Sequence, residues 1–270
     1  MCGETGDPLL PKDNETPSAL TPAQFQKAAD VSRETLDRLQ AYEALLRKWN
    51  PRINLVSRRS LDDLWRRHML DSIQLRTFYQ DQDNKNLSDP WLDLGSGAGF
   101  PGLVLAIAGV QNIHLIESDG RKCAFLREAA RVTGTEVTVH NERIETLPPQ
   151  AARTISARAL GPLPRLLSLA YPHLVAGGQI LLLKGQDVDA ELTEATKYWK
   201  IKVRRIPSVT DGSGSILQLT EISRVCFFPI QSSPIPSPTI GTSAFRHCQA
   251  AACHGHFQSE GRRRQDHHGD

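Results

Sequence analysis

The sequence predicts an α/β protein: a mostly parallel sheet covered by helices on both faces, an antiparallel strand from a C-terminal hairpin, and a helical extension ahead of the sheet. Three observations carry this. From Pro90 onward, short apolar runs alternate with helically spaced segments, the pattern left by parallel strands joined through crossover helices. A glycine-rich turn, Gly95-Ser96-Gly97-Ala98-Gly99-Phe100-Pro101-Gly102, joins the first of these runs to a helix. Amphipathic helical segments fill the stretch before it, from Thr21 to about residue 80.

Residues 1–20 hold Pro8, Pro11 and Pro17 among polar side chains without periodicity and read as a flexible leader. Thr21-Pro22-Ala23-Gln24 forms a capping box with proline at the first helical position, and Phe25, Val31, Leu39, Tyr42 and Leu46 follow at the spacing of one continuous amphipathic helix. A second helix is expected to start at Ser60 as its cap, with Asp63 in its first turn and Leu64, Trp65, His68 and Ser72 on one face. Strands are expected near 91–95, 112–117, 136–140, 153–158 and 179–184, and helices near 101–108, 121–133, 163–173 and 187–199. Gly109 and Gly134 suit helix stops. Runs at 201–206 and 216–222 flank Asp211-Gly212-Ser213-Gly214, a chain-reversing loop, and complete the sheet with an antiparallel hairpin. The folded region thus spans 21–222, a helical extension over 21–80 and an α/β core over 88–222.

The tail over 223–270 fits none of this, being proline-rich at its start and mixed Cys, His and Arg at its end, and reads as disordered. Its Cys and His spacing matches no standard zinc finger, so no metal is expected. Residues 255–268 permit codons that, read one base later, spell AISNQKGGVGKTT, a phosphate-binding loop resembling those of chromosome-partitioning ATPases. That points to an out-of-frame run into a neighbouring gene.

With 39% hydrophobic and 23% charged residues in 270, the chain is expected to bury one core with appendages. A net charge of +2 does not announce a nucleic-acid binder, so any basic surface must be local. No apolar run approaches the roughly 18 residues of a membrane span, and Glu4 and Asp7 break the order of a signal peptide, so a cytoplasmic protein is expected. Five scattered cysteines without a CxxC pair argue against a disulfide framework.

The glycine turn is where the chemistry concentrates. Alternate glycines let the backbone reach φ > 0 and approach a ligand, while Pro101 suits a first helical turn where an N–H is expendable. No Gly-Lys-Ser/Thr follows, which excludes a Walker-type site. The segment satisfies the dinucleotide fingerprint G-x-G-x-x-G, yet it also reads as Asp93-x-Gly95-x-Gly97-x-Gly99. A carboxylate beside the turn would repel a pyrophosphate and attract the cationic amino group and sulfonium of S-adenosylmethionine. Asp93 alternatively braces the loop by accepting backbone hydrogen bonds. Glu117, at the end of the second strand, is placed to bind ribose hydroxyls or to stand as a solvated strand-end acid. Near Ile144 and Glu145 a backbone N–H can meet the adenine, or Glu145 can cap a helix.

The blocks Trp49-Asn50-Pro51-Arg52-Ile53-Asn54-Leu55-Val56, Arg67-His68-Met69-Leu70-Asp71-Ser72, the turn itself, Ser156-Ala157-Arg158-Ala159 and Leu183-Lys184-Gly185 resemble the RsmG, or GidB, family in order and spacing, over about residues 25–222. The resemblance implies a class I methyltransferase with a Rossmann-like sheet, S-adenosylmethionine as cofactor, and methylation of guanine N7 in 16S ribosomal RNA. Its implied partner is that RNA or the 30S subunit, with no membrane and no metal. It implies cofactor contacts at Gly95, Phe100, Ile144, Glu145 and Arg158, joined by Asp93 and Gly97 of the turn. Glu117 stands as the ribose acid where the family often has Asp.

Guanine N7 presents an unprotonated lone pair, so no general base and no catalytic dyad are expected. Between Arg47 and Arg76, eight basic residues face three acidic ones, and Arg58, Arg59 and Arg67 with nearby Trp49 and Trp65 make a candidate RNA face. Arg158 and Lys184 end the fourth and fifth strands, where they can orient a guanine or a phosphate; Lys184 is otherwise an ordinary strand-end cation. His68 and Asp71, three apart on one helix, can pair. Two further functions fit the same turn: an NAD-dependent oxidoreductase, and a ribosome-binding protein without catalysis.

Overall fold

A computed structural model describes residues 19–80, 89–158, 160–185, 188–210 and 214–225. Expectations for the leader up to residue 18, the hairpin tip at 211–213 and the tail from 226 lie outside the described residues.

The extension begins as expected. Thr21 accepts from the Gln24 N–H while Gln24 Oε1 accepts from the Thr21 N–H at 2.9 Å, opening α1 (Pro22–Ala29). The single long helix is a misreading, however. Asp30 turns left-handed (φ 48°), and Ser32 caps a new helix, α2 (Arg33–Ile53), by accepting from the Thr35 N–H at 3.1 Å. Val31 is buried in the break, which is why the apolar spacing looked continuous. Near the end of α2, the Asn50 side chain donates to the Val56 carbonyl and accepts from its N–H, closing the loop that follows.

The second helix also differs from expectation. Ser57, not Ser60, is the cap, and buried Ser60 is the residue whose N–H it receives. From there the chain runs as short turns of changing pitch: α3 (Arg58–Leu61), a π-helical turn (Trp65–Leu70), α4 (Asp71–Ile73), a 3₁₀ turn (Gln74–Arg76) and α5 (Thr77–Gln80). Trp65, His68, Met69 and Leu70 are all buried, since the wider turn brings four of its six residues inward.

Seven strands make one sheet in the order β3-β2-β1-β4-β5-β7-β6. They are β1 (Trp91–Leu94), β2 (Ile113–Glu117), β3 (Thr138–Asn141), β4 (Ala152–Arg158), β5 (Leu174–Lys184), β6 (Trp199–Pro207) and β7 (Ser215–Arg224). β1 to β5 are mutually parallel, and β7 runs antiparallel to both β5 and β6. Between them lie α6 (Gly102–Ile107), α7 (Gly120–Thr133), α8 (Leu163–Ala170) and α9 (Val188–Ala195). α7 is capped by Asp119 and stopped at Gly134, while Pro101 sits one place earlier than expected, as the cap of α6.

Strand alternation decides which layer covers which face. Leu181 and Leu183 join Phe25, Tyr42, Leu103 and Phe125 in one core, under the extension, α6 and α7. Ile180 and Leu182 join Leu92, Leu94, Leu163 and Val188 in the other, under α8 and α9. The extension therefore packs on the face to which Asp93 also points, directly behind the glycine turn. Among the described residues no helix is long and apolar enough to cross a membrane, and no cluster of His, Cys, Asp or Glu is set to hold a metal.

Candidate functional site

The carboxyl ends of β1, β2, β3, β4 and β5 all reach one edge of the sheet, so the candidate residues that end or follow them converge there. β1 and β4 are neighbours although β2 and β3 lie on the far side of β1, which makes the gap beyond their ends the topological switch point where such sheets bind ligands.

The turn after β1 is braced from below. Asp93 is fully buried; Oδ2 accepts from the Gly102 N–H at 3.2 Å and Oδ1 from the Ser156 hydroxyl at 2.8 Å. Ser156 in turn accepts from the Trp91 indole at 3.0 Å. Burial pushes the Asp93 pKa up to about 6, against the pull of these hydrogen bonds. Of the two readings the sequence left for Asp93, the geometry has the loop brace: both oxygens are occupied and none of the side chain meets solvent. Gly102 admits nothing larger, because a Cβ there would lie 2.5 Å from Leu115 and 2.7 Å from the Asp93 Cβ. Gly97 is the opposite case. Its φ is +55°, and the nearest atom to a Cβ would be the Gly95 carbonyl at 3.8 Å, so the turn has an open side at Gly97.

Glu117 closes the other side of the turn. Its carboxylate accepts from the Gly97 N–H at 3.0 Å and from the Asp119 N–H at 2.8 Å, linking the turn to the start of α7. The Asn141 side chain, at the end of β3, donates to the Glu117 and Ser118 carbonyls. Beyond it, the backbone N–H groups of Ile144 and Glu145 make no hydrogen bond among the described residues, whereas the Ile144 carbonyl lies 3.3 Å from His173 Nε2. The Glu145 side chain is exposed and reaches Arg165 only at 3.8 Å, so it caps no helix.

Phe100 links the turn to the extension. It is 4% exposed; the His68 ring stacks on it at 4.7 Å and 22°, and the Arg158 guanidinium lies 5.1 Å from its centroid. Tyr42 packs on the same ring and donates its hydroxyl to the Ala98 carbonyl. His68 does not pair with Asp71 as its spacing suggested. Neither of its ring nitrogens finds a partner among the described residues, and burial, helped by Arg158 and Arg67, lowers its pKa to about 3. Asp71 instead faces Arg158 at 3.6 Å and accepts from Gln74 and Thr210. The Gln74 side chain also holds Ser208 and the Val209 N–H, which fastens the extension to the loop after β6. Spacing within one helix missed this cluster because its members come from separate segments of the chain.

Between the extension, the ends of β4 and β5 and the hairpin lies a cleft of about 350 Å³, lined by Arg66, Arg67, Arg158, Lys184, Ser208 and Ser215 among others. Lys184 is not a spare cation there: its Nζ pairs with Glu191 at 2.7 Å and donates to the Gly161 carbonyl at 3.2 Å. Arg158 is likewise engaged, donating to the Arg67 carbonyl at 3.2 Å. Arg58, Arg59 and Arg67 are exposed and form no ion pair among the described residues. The two tryptophans belong to the core instead of the RNA face. Trp65 is 4% exposed and donates to Glu43, and Trp49 packs against Phe125.

Comparison with known proteins identifies the family. The profile of GidB, rRNA small subunit methyltransferase G, matches residues 35–218. Ribosomal RNA small subunit methyltransferase G from Paramagnetospirillum magneticum is 53% identical over 203 residues, 75% of this chain and 97% of its own. The proteins of the same name from Rhodospirillum centenum and Rhodospirillum rubrum are 56% and 52% identical, covering 74% and 76% of this chain and 90% and 100% of theirs. Among solved structures, magnesium protoporphyrin IX methyltransferase from Synechocystis PCC 6803 with bound SAM aligns with 66% of this chain and 96% of its own, at 13% identity and a TM-score of 0.48. By a profile that spans most of the folded region, and by relatives matched over nearly their full length, this chain belongs to the GidB family of rRNA small subunit methyltransferases.

Proposed function

We propose that this chain transfers a methyl group from S-adenosylmethionine to N7 of a guanine in 16S ribosomal RNA, presented as RNA or as the 30S subunit. The observation that carries the reading is the pairing of a braced glycine turn, open at Gly97, with a cationic cleft at the next strand ends. The names of the relatives supply the reaction class.

The residues suit the cofactor. The open side of Gly97 admits a ligand against bare backbone, Glu117 ends β2 at the level of the turn, and the unbonded N–H groups of Ile144 and Glu145 are free to receive an adenine. We assign those four residues, with Gly95, Phe100 and Arg158, to holding it. Asp93 and Ser156 position the turn without touching the ligand. The buried side chain of Asp93 meets no ligand directly, so family membership is what disfavours NAD.

When bound, S-adenosylmethionine supplies an electrophilic methyl on a sulfonium. The chain's own task is alignment, because guanine N7 needs no proton removed. Holding two reactants in attack geometry contributes roughly 7 to 11 kcal/mol. Phe100, fixed by His68, Tyr42 and Arg158, gives the turn a rigid wall on the side of the cleft. Arg58, Arg59 and Arg67 hold the RNA backbone by charge. Lys184, already paired with Glu191, shapes the cleft instead of gripping phosphate.

Tritiated S-adenosylmethionine incubated with unmethylated 30S subunits tests the reading. Label at one guanine N7 is expected. Tight cofactor binding with no label transferred would leave a ribosome-binding protein without catalysis, and calorimetric binding of NAD in its place would return the oxidoreductase.

A further inference from the structure

The cationic surface recognised in the extension has a counterpart on the other side of the cleft. β6 forms one edge of the sheet, and its nine residues include Lys200, Lys202, Arg204 and Arg205 but no acid. All four side chains are exposed. Arg204 forms no hydrogen bond or ion pair among the described residues. Lys202 and Arg205 pair with Glu221 and Asp189, but these ion pairs are themselves largely in solvent and so give way to a stronger polyanion at little cost. Tyr198, 54% exposed, stands immediately before the strand with Lys197 beside it.

Position matters as much as charge. Pro207 pairs with Ser215, which lines the cleft, and Arg205 lies two residues back, about 7 Å along the strand. The loop after β6 is tied to the extension through Gln74 and Asp71. Lys202 and Arg204 project from one face of the strand and Arg205 from the other, so the charge flanks the open edge. Edge strands often carry charge to block pairing with other sheets, but that purpose is served by either sign. The opposite edge, β3, carries no Lys or Arg at all. A bias to cations alone, leading to a cationic cleft, matches a phosphate backbone.

We propose that β6 is a second RNA-binding surface, on which Lys200, Lys202, Arg204 and Arg205 track the phosphates of a strand entering the cleft. This rests on the reading that the substrate is RNA. Two assays keep the two claims apart. The full chain carrying Lys200→Ala, Lys202→Ala and Arg204→Ala is titrated with a fluorescein-labelled 25-nucleotide single-stranded RNA from 50 to 200 mM salt. The slope of log Kd against log salt is expected to fall by about 2, as three phosphate contacts are lost. With unmethylated 30S subunits, KM is expected to rise about tenfold at unchanged kcat and unchanged S-adenosylmethionine affinity. A charge-preserving variant, Lys200→Arg, Lys202→Arg and Arg204→Lys, is expected to restore both. A wild-type slope and KM in the alanine variant, at a wild-type melting temperature, would overturn the proposal. Should the parent protein methylate no 30S subunit, the reaction assigned above fails, and the salt slope on the short RNA still decides the role of the strand.

Discussion

The two halves of the site are built by different means. Around β1 and β2 the candidate cofactor surface is backbone: a turn braced by Asp93 and Ser156 from beneath and by Glu117 from the side, with no cation in the brace. Around β4, β5 and the hairpin the surface is side chain, with arginines from the extension meeting strand-end residues across a cleft. The difference accounts for the two ligands proposed for the two halves. Backbone geometry suits one small ligand of fixed shape and is intolerant of substitution, whereas dispersed charge suits a polyanion and degrades gradually.

The sharpest way to break this contrast is Gly97→Val. A β-branched side chain on the open side is expected to weaken S-adenosylmethionine by at least about 100-fold in calorimetry, while left-handed strain costs about 1–2 kcal/mol of stability. Normal cofactor affinity would mean that the turn is not the cofactor surface. Next in size is Phe100→Ala, which empties the ring position shared by His68, Tyr42 and Arg158. Urea denaturation is expected to show a loss of about 3–5 kcal/mol, the usual range for a buried phenylalanine.

A third prediction uses acidity, and its two arms run in opposite directions. Asp93 holds its proton more tightly in the folded chain, up to about pH 6, than the ordinary carboxyl of the unfolded chain does. Its contribution to stability is therefore complete below about pH 4 and is lost as pH rises toward 6. His68, lowered to about 3, behaves oppositely, since the unfolded chain takes up its proton first as pH falls below 6.5. Relative to the parent protein, Asp93→Asn should gain melting temperature as pH rises from 4 to 6, and His68→Phe should gain as pH falls from 6.5 to 4. Parallel melting curves across that range would contradict both burial arguments. The smallest effect is expected from Arg58→Ala with Arg59→Ala. Stability should shift by no more than about 0.5 kcal/mol, cofactor affinity should stay constant, and KM for 30S subunits should rise several-fold. Unaltered RNA affinity and salt dependence would remove that surface from the interface.

Much of the fold was legible because strand and helix periods are local. All seven strands stand where alternation and apolar runs placed them, although β5 begins at Leu174, five residues early, where Tyr171–His173 turns directly into the strand. The misread elements are those in which local geometry changes without disturbing the apolar spacing. Asp30 and Ser32 break the first helix while Val31 stays buried, and the π-helical turn repacks Trp65 to Leu70 without altering their order. Asp30-Val31-Ser32 did hold a signal, since an acid followed by a serine two places later is a natural stop and cap.

In the site, the turn and its ends were readable and the partners were not. Lys184 finds Glu191 and Arg158 finds Asp71 only after the chain has folded, so charge alone overstated what is free to meet RNA. Tyr42 and Ser156 hold the turn, a role their sequence positions did not show because each is an ordinary core residue on its own helix or strand. Ser156 was within reach: it shares β4 with Arg158 and pairs in register with Asp93. The cations of β6 stand within six residues in Lys200-Ile201-Lys202-Val203-Arg204-Arg205, and only their place at a sheet edge gives them meaning.

The division between a shape-selective turn and a charge-selective cleft is tested most directly by salt. The measurement is kcat/KM for methyl transfer to unmethylated 30S subunits, alongside Kd for S-adenosylmethionine, from 50 to 200 mM. The account predicts that kcat/KM falls about tenfold or more while the cofactor Kd stays level. A kcat/KM insensitive to salt, or a cofactor Kd that weakens in step with it, would contradict the division.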